Sequence, residues 1–107
     1  MVSFQEFKQL ELKVGTVLAV EDHPNANKLM IVRVDLGEGQ PRTLVAGIKE
    51  YYSYDELKGK QVIVVANLEP AVLRGVQSDG MLLAAQDGTK VVILTPEKPV
   101  APGSPVR

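Results

Sequence analysis

Asn67 to Met81 gathers the side chains of this chain best suited to holding another molecule. It carries Asn67, Arg74 and Ser78 among Pro70, Gly75 and Gly80. Arginine is a planar cation with several donors, asparagine an amide, and serine a hydroxyl that both donates and accepts. Such a set can grip an anion or a polar edge. The segment has no histidine or cysteine, and its only carboxylates are Glu69 and Asp79. Catalysis needs an acid–base pair, an activated nucleophile or a metal set, and none stands out here or elsewhere in the chain. With one histidine and no cysteine, the usual zinc ligand sets are out of reach. No cofactor or metal is expected. Lys28, after the turn His23-Pro24-Asn25-Ala26-Asn27, is a solvated lysine or a contact, and Arg42 heads an apolar run. His23 precedes a proline in a turn and reads as structural.

The elements that position these residues follow from periodicity. Ser3-Phe4-Gln5-Glu6 has the form of a capping box and predicts a short helix over 4–9. Leu12 to Glu21 alternates, with Leu12, Val14, Thr16, Leu18 and Val20 on one face and a bend or bulge expected at Gly15. Leu29 to Leu36 predicts a second strand, with Met30, Val32, Val34 and Leu36 inward and Arg33 outward. A Gly-Glu-Gly-Gln-Pro hairpin loop leads to a third strand, Arg42 to Ala46. Ser53-Tyr54-Asp55-Glu56 is a second capping box, and Gly59 ends its helix. Gln61 to Ala66 is rich in β-branched residues and reads as a central strand. Gly80 to Ala85 is the fifth, and between the two the 67–79 segment reads as a shaped loop. Asp87-Gly88 signals a hairpin into Lys90–Leu94. Thr95 to Arg107 holds four of the seven prolines and is expected to run extended against the rest.

Three strands, a short helix and two strands give an all-β chain with the order of an OB-fold. That fold is a five-stranded Greek-key barrel whose face and loops bind oligonucleotides or oligosaccharides. The barrel is expected over about 11–86, with a C-terminal extension over about 87–107. At 107 residues and 45% apolar, the chain fits one globular domain. No apolar run approaches the roughly 20 residues of a membrane span, and no membrane partner is expected. The absence of cysteine and of a basic-then-apolar leader fits a cytoplasmic protein. Net charge is −1, so bulk charge does not point to nucleic acid. Its distribution is more telling: residues 23–49 hold Lys28, Arg33, Arg42 and Lys49 against Asp35 and Glu38.

Several ordered blocks then carry a resemblance. They are His23-Pro24-Asn25-Ala26-Asn27-Lys28-Leu29, Val34-Asp35-Leu36-Gly37, Arg42-Thr43-Leu44-Val45-Ala46-Gly47-Ile48, Asn67-Leu68-Glu69-Pro70 and Arg74-Gly75-Val76-Gln77-Ser78-Asp79-Gly80-Met81. Over nearly its whole length the chain resembles the tRNA-binding domain family. That family occurs as a stand-alone dimeric protein and as an appendage or β subunit of methionyl-tRNA synthetases. The resemblance implies an OB-fold homodimer that recognises tRNA by shape, without catalysis, and works beside a methionyl-tRNA synthetase catalytic subunit. It makes Lys28, Arg42, Asn67, Arg74, Ser78 and Met81 the candidate RNA-binding residues. Arg74 contacts phosphate or stacks on a base, or else pairs with Glu69 or Asp79. Ser78 either donates to the RNA or holds its own loop. Asn67 is read mainly as tying the loop. Met81 is read as core, with an exposed apolar platform as the alternative.

Three positions depart from the family's common residues. Asn27 stands where aspartate is frequent, Ala46 where serine is, and Ala71-Val72 where a basic pair is. The last removes phosphate contacts and implies weaker binding through that loop. The low aromatic content, 5%, argues against a single-strand reader built on stacking and fits shape recognition. The competing reading is a CsaA-type export chaperone that holds unfolded polypeptide. The dimer contact is expected over 90–107 with the N-terminal helix.

Overall fold

The computed structural model describes residues 1–107. Its barrel starts from β1 (Leu12–Asp22), long enough to serve two neighbours. The first half of β1 pairs with β4 (Gln61–Val65), from Leu12↔Val65 to Thr16↔Gln61. The second half pairs with β2 (Met30–Asp35), from Thr16↔Asp35 to Asp22↔Met30. β3 (Arg42–Ala46) adds to β2, and a short β7 (Met81–Leu82) adds to β4. The order is therefore β3-β2-β1-β4-β7, all antiparallel. Two bonds near residues 78–79 bring the far edge back to β3. Asp79 N–H donates to Thr43 O at 2.9 Å, and Val45 N–H donates to Ser78 Oγ at 2.9 Å. This is the OB-fold barrel, and closing it removes the exposed edges of an open sheet.

The core is aliphatic. Met30, Val32, Val34 and Leu36 from β2 and its exit meet Leu44, Val62, Val64 and Leu82, all buried as the alternation requires. β1 departs from its expected phase. The pairing register slips between Val17 and Ala19, so the bulge lies at Leu18 and not at Gly15. One extra residue reverses which parity faces inward. Val17 is therefore in the core and Leu18 lies outside, while Val20 again packs inward. Gly15 has a different reason to be glycine: a Cβ there would lie 2.9 Å from Leu36 Cδ2.

Both capping boxes form. Ser3 caps α1 (Phe4–Phe7) and Ser53 caps α2 (Tyr54–Leu57), each with the reciprocal glutamate. α1 is shorter than expected and buries none of its residues, whereas α2 plugs the barrel with Leu57. The expected fifth strand divides at Leu83. Beyond β7, β8 (Ala84–Asp87) leaves the barrel sheet and pairs with β9 (Lys90–Ile93) in a separate hairpin. The proline-rich tail runs without helix back to the barrel, where β10 (Pro105–Val106) pairs with β1 along the edge that β2 has left. It crosses the β2–β3 connection at a contact between two glycines of positive φ. A Cβ on Gly103 would lie 2.4 Å from Leu36 O, and one on Gly37 would lie 2.6 Å from Pro102 O.

Candidate nucleic-acid interface

The 67–80 segment is more ordered than a loop. β5 (Ala71–Leu73) and β6 (Val76–Ser78) form a hairpin whose two turn residues are Arg74, φ 52°, and Gly75, φ 89°. Two consecutive positive φ values make the type I′ geometry that suits tight hairpins. Arg74 is the only non-glycine residue with positive φ. Three hydrogen bonds hold this tip in place. His23, buried, donates from Nε2 to Leu73 O at 2.8 Å. Its Nδ1 accepts from Asn25 N–H at 3.0 Å, which fixes the neutral Nε2–H tautomer. Asn25 Nδ2 donates to Arg74 O at 3.2 Å. Sequence reading treats His23 as structural but misses Asn25 as an anchor. These partners lie 49 and 50 positions away, beyond any local signal.

The result is one rigid face. The 25–29 turn and the hairpin tip line a cleft of about 460 Å³ walled by Asn25, Ala26, Asn27, Lys28, Leu29 and Arg74. Lys28 is 79% exposed at its side chain and meets only Glu50, at 3.8 Å. The Arg74 guanidinium makes no ion pair with Glu69 or Asp79. Two cations with unspent donors thus share a preformed cleft, an arrangement suited to phosphate.

Of the other candidates, Arg42, Ser78 and Asn67 are engaged by the scaffold. Arg42 grips both oxygens of Glu38, at 2.8 Å each, and donates to Ala66 O and, at 3.2 Å, to Asp79 O. That clamp ties the β2–β3 hairpin to both ends of the 66–79 segment. The hydrogen bonds from Arg42, with its charge, hold the Glu38 carboxyl below its ordinary value. A second cleft, of about 350 Å³, opens beside it between Pro41, Leu68, Pro70 and Asp79. Ser78 is buried; its Oγ accepts from Val45 N–H and donates to Gly80 O at 2.9 Å. Asn67 latches the N-terminal segment, accepting from Glu11 N–H at 2.9 Å and donating to Gln9 O at 2.7 Å. Met81 is exposed, not core as expected. Its register with Val65 turns Leu82 inward, so Met81 faces out. Leu68, Val72 and Leu73 are also exposed, so the 66–81 region presents apolar surface beside its cations. Arg33 lies outward on β2 and pairs with Glu21 at 2.9 Å, as its alternation suggests.

The three tyrosines divide. Tyr52 packs against the core and its Oη accepts from Ile93 N–H at 3.0 Å. Tyr51 and Tyr54 are exposed. Lys49 lies 2.5 Å from Asp22, and with the Tyr54 hydroxyl it holds the Asp22 carboxyl below its usual value. The same carboxylate pushes the Tyr54 phenol up. No three His, Asp or Glu side chains converge as a metal site.

With this geometry in view, residues 12–105 match the family model described as "Putative tRNA binding domain". The chain belongs to the tRNA-binding domain family. It is 58% identical over 106 residues to a methionine–tRNA ligase of Pyrococcus furiosus, covering 99% of this chain and 14% of that protein. The chain spans about 14% of the length of the curated relatives it matches. Among solved structures, the MetRS-related protein of Pyrococcus horikoshii superposes with a TM-score of 0.92 at 35% identity, covering 100% of this chain and 98% of that one. The chaperone CsaA of Bacillus anthracis superposes with a TM-score of 0.89 at 28% identity, covering 100% and 99%.

Proposed function

We propose that this chain is a non-catalytic module that binds folded tRNA by shape and serves a methionyl-tRNA synthetase. The observation that carries this reading is the preformed cleft holding Lys28 and Arg74, in a chain of the tRNA-binding domain family. Phosphate contacts from such a face position an RNA without reading its bases. In this reading Lys28 and Arg74 touch the RNA. Met81 offers an apolar contact, and Arg42, Asn67 and Ser78 keep the face in register. Binding raises the local concentration of tRNA at the synthetase, an effect of linkage that needs no new catalytic contact.

The module acts as a homodimer in this proposal. Phe4, Phe7, Leu10 and Val106 line a groove of about 510 Å³ where the first helix meets β10, and the first three are exposed. An apolar patch of this kind, next to a two-residue edge strand, suits a second copy.

One observation favours a second reading. Leu68, Val72 and Leu73 expose apolar surface on the hairpin side, and CsaA chaperones share the fold. Competition binding separates the two. Labelled folded tRNA is challenged with single-stranded RNA, with duplex RNA and with a reduced, unfolded polypeptide. The tRNA reading expects only unlabelled folded tRNA to displace it efficiently. Displacement by the polypeptide, or absence of tRNA binding beside tight polypeptide binding, selects the chaperone reading.

A further inference from the structure

Tyr51 and Tyr54 sit on the rim of a depression of about 430 Å³ beside α2, which also includes Met30, Lys49, Glu50 and Glu56. Each residue is 40% exposed. They are held rigidly: Tyr51 N–H and Tyr52 N–H both donate to Ile48 O, and the Ser53 cap fixes the turn that follows. The depression adjoins the Lys28–Arg74 cleft. Lys49 N–H donates to Lys28 O at 3.4 Å, and the Lys28 ammonium meets Glu50, a wall of the depression, at 3.8 Å.

The chemistry of this shelf does not suit phosphate. Its lysine is already paired with Asp22 at 2.5 Å, and Glu50 and Glu56 add negative charge. An unpaired nucleobase fits better: it has a neutral π-face for a tyrosine ring, and exocyclic amines that a carboxylate accepts. We infer that Tyr51 and Tyr54 form a stacking shelf for one unpaired base of the RNA whose backbone lies on Lys28 and Arg74. Glu50, whose ion-pair partner is Lys28 at 3.8 Å, is the acceptor that favours bases bearing an amino group. The inference rests on the tRNA reading above and extends it by a second contact, one that prefers bases bearing an amino group.

The test is the tRNA affinity of wild type, Tyr51→Ala, Tyr54→Ala and the two Tyr→Phe variants, each first checked by thermal melting. The Ala variants are expected to bind about tenfold more weakly, and the Phe variants, which keep the ring, close to wild type. The salt dependence of binding should not change, because stacking releases no counterions. Wild type that binds tRNA while both Ala variants bind as well overturns the shelf and leaves the tRNA reading standing. So does a loss of affinity that the folded Phe variants share. Wild type that does not bind tRNA removes both.

Discussion

Arginine has donors to spare and no acceptor, so its surroundings decide what it serves. Arg42 directs three nitrogens to Glu38, Ala66 O and Asp79 O, whereas Arg74 sits on a turn with its guanidinium unpaired. Both are equally basic in the sequence, and only the fold separates the clamped guanidinium from the free one. Arg42→Ala strands two partly buried carbonyls and should destabilise the fold by about 1–3 kcal/mol in denaturant unfolding. The Glu38 side of the clamp carries a pH signature. Its folded pKa is lowered, so its contribution is present above the ordinary glutamate range and lost as pH falls through the lowered value. Wild type should be more stable than Glu38→Gln at neutral pH and converge with it in acid. Equal stabilities at neutral pH would contradict the clamp. Ser78 and Met81 teach the same point. A serine in a polar loop is an open choice between ligand and scaffold, and here its hydroxyl spans a barrel seam. A methionine heading an apolar run reads as core, and two-residue pairing with Val65 turns it outward.

At the scale of elements, β2, β3, β4 and both capping boxes were legible because alternation and cap spacing are local signals. The β5–β6 hairpin was not. Its strands have three residues each, and its turn begins with an arginine where glycine, asparagine or aspartate is usual. The bulge at Leu18 also left no mark, since an alternating strand reads the same with or without an inserted residue. Gly80 is where the hairpin rejoins the barrel, at φ 143°, with a Cβ position 3.0 Å from Val65 O and 3.1 Å from Leu44 Cδ2. Gly80→Ala should lower stability by about 1–3 kcal/mol or more, combining strained backbone with a core clash. Gly88, in the β8–β9 turn, has open space around it, so Gly88→Ala should cost less. Equal losses in thermal unfolding would show that the Gly80 contacts do not matter.

For the whole molecule, barrel closure was legible from the order of strands and the extended, packed tail from its prolines, while the tail's pairing with β1 was not. The prolines announced an extended chain, but pairing with β1 depends on the Gly37–Gly103 contact between segments far apart in sequence. That return places Val106 beside Phe7 and Leu10, building the groove proposed for a second copy. Sedimentation should find a dimer at micromolar concentration, and Phe4→Glu with Leu10→Glu should make it a monomer of unchanged fold. A monomeric wild type would remove the dimer. The most direct test of the proposed tRNA face is the affinity of wild type and Arg74→Ala for folded tRNA across a range of salt concentrations. If Arg74 contacts phosphate, the mutant binds more weakly and its log–log salt slope falls by about one. Identical affinity and slope, or no saturable binding by wild type, would contradict the assignment.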